Sequence, residues 1–185
     1  MKARPWQVLA SRPLLERRWL SIHEQRIALP QGGEIEEFHL IQAPDWSAVL
    51  ALTEEGQVVL VEQYRHGAER MSLELPAGVI DPGESPLEAA QRELVEETGY
   101  IASEWQLLHT VNTEPSRHTN RAHFYFASGA RRAQDTRFDP SESIEVRLAS
   151  PAELSQRLDA GEIVHGLHVG AILCALRRGL ITWAE

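Results

Sequence analysis

The sequence predicts an α/β fold, and three observations carry that expectation. Two runs of nearly continuous apolar residues, WSAVLALT at 46–53 and QVVLVEQY at 57–64, have the length and composition of strands covered on both faces. Two segments carry a complete helix start. Ser85-Pro86 is followed by Glu88 and Ser150-Pro151 by Glu153, each a capping box with proline at the first helical position. Apolar alternation recurs before, between and after these helix starts, so strands and helices are interspersed along the chain.

The chain has 185 residues, enough for one sizeable domain with its own core. Its formal net charge of -9 argues against nonspecific binding to nucleic acid or to an anionic membrane. A single cysteine, Cys174, lies in an apolar run, so no disulfide forms within the chain and a reducing cytoplasm is the expected setting. The N-terminal residues lack the apolar core of a signal peptide, and no uninterrupted apolar stretch reaches membrane-spanning length.

Residues 5–43 read as strands. Leu20, Ile22, Ile27 and Leu29 lead into the turn Pro30-Gln31-Gly32-Gly33, and Ile35, Phe38, Leu40 and Ile41 return from it as a hairpin. Pro44-Asp45 breaks the pattern before the two apolar strands, which Glu54-Glu55-Gly56 connects. The basic segment RHGAER at 65–70 and a short strand at 71–75 deliver the chain to Pro76-Ala77-Gly78. A glycine-rich turn at 78–83 precedes the first helix. Leu87, Ala90 and Leu94 recur along that helix at core-facing spacing, and Gly99 is placed to end it in a left-handed conformation. An apolar strand WQLLHTV at 105–111 follows, then a loop with Pro115, and then a strand with Ala122, Phe124 and Phe126 alternating. Residues 128–143 read as a polar loop, Ile144 to Leu148 as a strand, and the segment after Ser150 as a helix ending at Gly161. A last helix at 167–178 has Val169, Ile172, Leu173 and Leu176 on its expected core face.

The chemistry concentrates on the first helix. Glu93, Glu96 and Glu97 are neighbours on its surface and crowd its C-terminus, where the helix dipole disfavours negative charge. Taken alone, such a cluster is either a solvated acidic face or a site for a hard divalent cation, which takes oxygen ligands of this kind.

The wider spacing resembles the Nudix box, the signature of hydrolases that cut a diphosphate linked to another group. In this chain it runs Gly78, x5, Glu84, x7, Arg92-Glu93-Leu94-x-Glu96-Glu97-x-Gly99-Tyr100, with Tyr100 where the pattern is usually aliphatic. The resemblance implies a Nudix α/β/α sandwich with a mixed, curved sheet over residues 44–185. Residues 1–43 then form a small N-terminal β extension, a packing or dimerisation subdomain. It also implies that Glu93, Glu96 and Glu97, with the backbone carbonyl near Ala77 or Gly78, hold Mg2+ (or Mn2+), and that Glu84 and Arg92 form an ion pair pinning the loop to the helix. The runs Gln63-Tyr64-Arg65-His66 and Glu74-Leu75-Pro76-Ala77-Gly78, and the position of Pro115, are similar to those of ADP-ribose pyrophosphatases and related nucleoside-diphosphate-sugar hydrolases.

In that group Arg65 corresponds to a ligand of the substrate diphosphate, by the good match of guanidinium and phosphate. Glu74 corresponds to a residue that contacts substrate or supports the metal loop. The general base of the group comes from a loop before an Ile-Glu-Val strand, which points to Glu142, with Glu145 as the alternative. The loop around Pro115 is Glu-Pro-Ser-Arg-His where the group is usually richer in glycine, and Arg117 and Arg121 lie there to meet phosphates or to balance Glu114. The implied substrate is a small nucleoside diphosphate, with neither nucleic acid nor membrane as partner. A homodimer is expected, with Trp19 or Trp46 as stacking groups near the substrate. Two other readings stand beside this one. The first is a hydrolase of damaged nucleoside triphosphates or RNA ends, against which the Arg65 and Glu74 runs argue. The second is a non-catalytic ADP-ribose-binding module, against which the complete box argues.

Overall fold

The structure, a computed structural model, describes residues 4–137 and 143–183. They divide into two compact units, residues 1–45 with 112–121, and residues 46–111 with 122–185.

The first unit is a three-stranded antiparallel sheet of β1 (Gln7–Arg17), β2 (Leu20–Ala28) and β3 (Glu34–Gln42), in that order. The β2–β3 hairpin closes at the expected turn, where Gly32 and Gly33 both take positive φ. The sequence pattern showed the hairpin but did not separate β1 from it. Residues 112–121 join this unit through the backbone: Ile41 N–H donates to the Arg117 carbonyl (2.8 Å), and Thr119 N–H to the Ile41 carbonyl (3.0 Å).

The second unit is a sandwich around an eight-stranded mixed sheet. Its spine runs in the order β11 (Ile144–Ala149), β5 (Val58–Arg65), β4 (Trp46–Thr53), β10 (Arg121–Arg132), β8 (Tyr100–Ile101). Beside it, β6 (Arg70–Glu74) pairs with β5, β7 (Ala77–Val79) with β4, and β9 (Glu104–Asn112) with β10. β4 and β10 run parallel, with Ala122 opposite Trp46 and Phe126 opposite Leu50, whereas β4 and β5 are antiparallel. The two central strands are buried on both faces, which is why their apolar residues run without a break. Alternation divides them. Val49, Ala51 and Val59 pack with Ala90 and Leu94 of α1 (Pro86–Thr98). Ala48, Leu50, Val58 and Leu60 pack with Leu154 of α2 (Pro151–Asp159) and with Ala171, Ile172 and Ala175 of α3 (Gly166–Arg177). One helix thus covers one face of the sheet and two cover the other.

Both capping boxes form. Ser85 accepts from the Glu88 N–H and Ser150 from the Glu153 N–H, with the glutamate side chain returning to the cap in each case. Gly99 ends α1 at φ 73.

Two expectations are corrected. The stretch after Ser128 is not all loop: β10 continues to Arg132. Gly129, at φ 65, carries a bulge that lets Ala130 return to the interior and Arg131 and Arg132 pair with β8. The inner face of α3 is His168, Ala171, Ile172 and Ala175, while Leu173 is exposed. Small residues let the helix lie close to the sheet, and a histidine sits where an apolar count would not place one.

Candidate active site

The site is built where β7 meets α1. The turn that carries Ala77 and Gly78 is fixed to the central strand. Val49 N–H donates to the Pro76 carbonyl (3.0 Å), and Ala77, Gly78 and Val79 pair with Ala48, Ser47 and Trp46 of β4. Ser47 Oγ also donates to the Pro86 carbonyl (2.8 Å), so the same strand holds the start of α1. Loop and helix therefore share one rigid support.

Arg92 gathers the acids around that support. Its Nε and Nη2 donate to Glu84 at 2.8 and 3.0 Å, its Nη1 to Glu93 (2.6 Å) and Glu96 (3.1 Å), and its Nη2 also to the Val79 carbonyl (2.9 Å). One guanidinium thereby ties the loop to three carboxylates. The bond from Arg92 holds the Glu84 carboxyl below its usual range, and the same pairing raises the pKa of Arg92 still further. Glu97 is buried and accepts the Ala77 N–H (2.9 Å). Glu93 is buried as well, with its carboxylate pressed against the loop backbone. A Cβ on Gly78 would lie 2.0 Å from Glu93 Oε1. Only a glycine permits this approach, which sets the Glu93 carboxylate beside the loop whose Ala77 N–H Glu97 accepts.

These residues fit a hard divalent cation. The donors are oxygens of Glu93, Glu96 and Glu97 and of the Ala77–Gly78 peptide. Two of the acids are buried at a helix C-terminus, where the dipole gives them no help, and Arg92 binds Glu93 and Glu96. A different acidic group, Glu24, Glu37 and His39, has its ligand atoms within 4.8 Å of one another. It lies in the three-stranded sheet, where Arg12 meets Glu24 at 2.7 Å and His39 meets Glu37 at 3.4 Å. It reads as a surface ion-pair network.

Arg65 and Glu74 form one unit. Arg65 Nε and Nη2 grip the two oxygens of Glu74 at 2.7 and 2.6 Å. The Glu74 side chain is 1% exposed and that of Arg65 43%. Burial pushes the Glu74 carboxyl up, but the Arg65 bonds and charge outweigh it, and the group ends below its ordinary value. From sequence, Glu62 and Glu69 are the nearer acids in the chain; the fold pairs Arg65 with Glu74 instead. Arg65 also reaches a cavity of about 400 Å³ lined by Trp46, Ala77, Gly78, Val79, His165 and His168. Trp46, proposed from sequence as a stacking group, packs edge-on against Phe124 and His165 in the wall of this cavity. Trp19 is exposed in the turn between β1 and β2, under the Arg18 guanidinium (4.4 Å).

Glu142 lies outside the described residues. Glu145 is exposed on β11 and pairs with Arg147 at 2.8 Å, and Arg147 also meets Glu62 (2.8 Å). In the loop around Pro115, Glu114 accepts from the Ser116 N–H, and the Arg117 guanidinium lies 5.9 Å over the Phe38 ring.

The sequence reading missed His165 and His168 as cavity residues. A signal was present for His168: it stands at core-facing spacing with Ala171, Ile172 and Ala175.

A model of the NUDIX domain matches residues 42–166. The chain belongs to the Nudix family. Among curated relatives, the ADP-ribose pyrophosphatase of Mycobacterium tuberculosis is 30% identical over 175 residues, covering 94% of this chain and 84% of the relative. The ADP-ribose pyrophosphatase of Bacillus subtilis is 28% identical over 164 residues, covering 88% of each. Among solved structures, a crystal structure of ADP compounds hydrolase superposes with a TM-score of 0.85 at 21% identity, over 97% of this chain and 96% of that one. The Nudix fold expected from the box is therefore the fold observed.

Proposed function

We propose that this Nudix pyrophosphohydrolase hydrolyses, with Mg2+, the diphosphate of ADP-ribose or a related nucleoside-diphosphate sugar. The products are a nucleoside monophosphate and a sugar phosphate. The observation that carries the reading is the seating of Glu93 and Glu97 against the Ala77–Gly78 peptide, at the edge of a cavity that Arg65 also reaches. Relatives across most of the chain are ADP-ribose pyrophosphatases, which supports the substrate class.

In this reading Glu93, Glu96, Glu97 and the Ala77 carbonyl hold the metal. A bound divalent ion supplies Lewis acidity at the phosphoryl oxygens and lowers the pKa of water. The chain's own residues do the rest. Arg92 and Glu84 keep the loop and helix in register. Arg65, fixed in orientation by Glu74, presents a guanidinium to the diphosphate. Glu142 takes the proton of the attacking water. The engagement of Glu145 by Arg147 supports Glu142 over Glu145 in that role. We further propose a homodimer joined through the three-stranded sheet, where Trp6, Val8, Leu14 and Trp19 are exposed, and a cytoplasmic setting.

The test is turnover with Mg2+ on a panel of ADP-ribose, ADP-glucose, GDP-mannose, diadenosine polyphosphates and nucleoside triphosphates, read as phosphate release by a coupled phosphatase. Nucleoside-diphosphate sugars should be the best substrates. A preference for triphosphates would replace this reading with that of a nucleotide-sanitising hydrolase. Tight binding of ADP-ribose without turnover would replace it with a sensor.

A further inference from the structure

The cavity beside Gly78 contains two histidines that the metal and diphosphate roles leave unused. His165 caps α3, and its Nδ1 accepts the Leu167 N–H (3.3 Å). His168, one turn along the helix and buried, accepts the Leu75 N–H at Nδ1 (3.2 Å). A ring nitrogen that accepts a backbone N–H carries no proton, so each neutral imidazole holds its hydrogen on Nε2. The rings stack on each other with centroids 4.4 Å apart and planes 14° apart, and Trp46 packs against both, at 5.3 and 5.7 Å.

Burial keeps both rings neutral. It pushes His168 down to about 3, with His165 adding to the effect, and it lowers His165 as well. This end of the cavity therefore offers uncharged N–H donors and an aromatic edge, while the Arg65 end offers a cation. Anion affinity belongs to the Arg65 end. The histidine end suits an uncharged group rich in hydroxyls, with C–H faces that pack on an indole.

We propose that Trp46, His165 and His168 form a subsite for the sugar bonded directly to the diphosphate, with His165 Nε2–H donating to a sugar hydroxyl. This rests on the diphosphate reading above. The position supports it: in a nucleoside-diphosphate sugar the group attached to either phosphorus is a sugar, and a base stands one sugar further away. The cavity adjoins Ala77 and Gly78, so a diphosphate held at those residues places its attached sugar, rather than a base, next to them. The shared chemistry is a pentose phosphate, from either the terminal sugar or the nucleoside ribose.

The test follows the imidazole 15N–1H resonances of the Mg2+-loaded protein. Ribose 5-phosphate, AMP and inorganic phosphate are titrated separately, and turnover of ADP-ribose is measured in parallel. The two rings should show the Nε2–H pattern before any addition. Ribose 5-phosphate or AMP should then shift the His165 Nε2 signal, with inorganic phosphate silent; whichever of the two acts identifies the source of the sugar. His165→Asn, which keeps a helix cap but removes the donor, should weaken binding of that ligand about tenfold, the size of one hydrogen bond, and leave phosphate affinity unchanged. Equal shifts with inorganic phosphate, or no shift with any ligand, overturn the subsite. Turnover without a His165 shift sinks the subsite alone, whereas a shift without turnover sinks the hydrolase reading alone.

Discussion

Gly78→Ala is the substitution that interrogates the site most directly. The added Cβ would meet Glu93 Oε1 at 2.0 Å, Cδ at 2.2 Å and Oε2 at 2.7 Å, all far inside van der Waals contact. The loop cannot retreat, because β7 is bonded to β4 and Pro76 to Val49. Glu93 must therefore swing away, and its 2.6 Å bond from Arg92 is lost. Loss of one charge-assisted hydrogen bond costs about 1.5–3 kcal/mol. Reduced freedom of the unfolded chain returns about 0.4–1 kcal/mol. The net loss of about 1–2 kcal/mol lowers the melting temperature of a chain this size by about 2–8 °C. Turnover should fall far more, by at least 100-fold, because a proposed metal ligand has left its seat. The assay is thermal unfolding beside Mg2+-dependent hydrolysis of ADP-ribose. Gly170→Ala serves as the control, since a Cβ there meets nothing within 4 Å and a helix gains from alanine. Near-normal turnover in Gly78→Ala would refute the claim that Glu93 must press on the loop backbone.

Other outcomes follow from the same geometry. Arg92→Ala should destabilise by about 2–3 kcal/mol, below the ~3–5 of a fully buried pair because the Arg92 side chain is 28% exposed, and calorimetry measures it; unchanged stability with lost activity would give Arg92 a direct chemical role. His168 is neutral in the folded state down to about pH 3 but titrates near its ordinary 6.5 when unfolded. Its contribution is therefore complete above pH 6.5 and declines as pH falls, by up to about 1.4 kcal/mol per unit. His109 and His165, also lowered, act in the same direction. Urea titrations between pH 6.5 and 5 should show this decline, and His168→Asn should flatten it. Glu142→Gln should lower kcat by ~10²–10⁴-fold without altering metal affinity, and Glu145→Gln should do much less; the reverse order moves the base to Glu145. Light scattering at micromolar concentration should give twice the mass of 20.8 kDa, and a monomer mass removes the proposed dimer.

Local chemistry made much of this protein legible in its sequence. A capping box is written within four residues, and a strand buried on two faces within eight, so α1, α2, β4 and β5 stand close to where the pattern put them. The box acids were equally visible, because neighbours on one helix are fixed by its pitch. The tertiary structure decided what depends on pairings between distant segments. The parallel match of β4 to β10 brings Trp46 beside Phe124, and α3 then sets His165 and His168 against that same indole. Arg65 takes Glu74 rather than its neighbours in the chain because β6 returns along β5 and buries the carboxylate, leaving it in need of a cation. The seat of Glu93 against Gly78 likewise follows from β7 docking on β4. A glycine's place in the sequence shows that a side chain is absent, and only the fold shows which atom takes up the space it leaves.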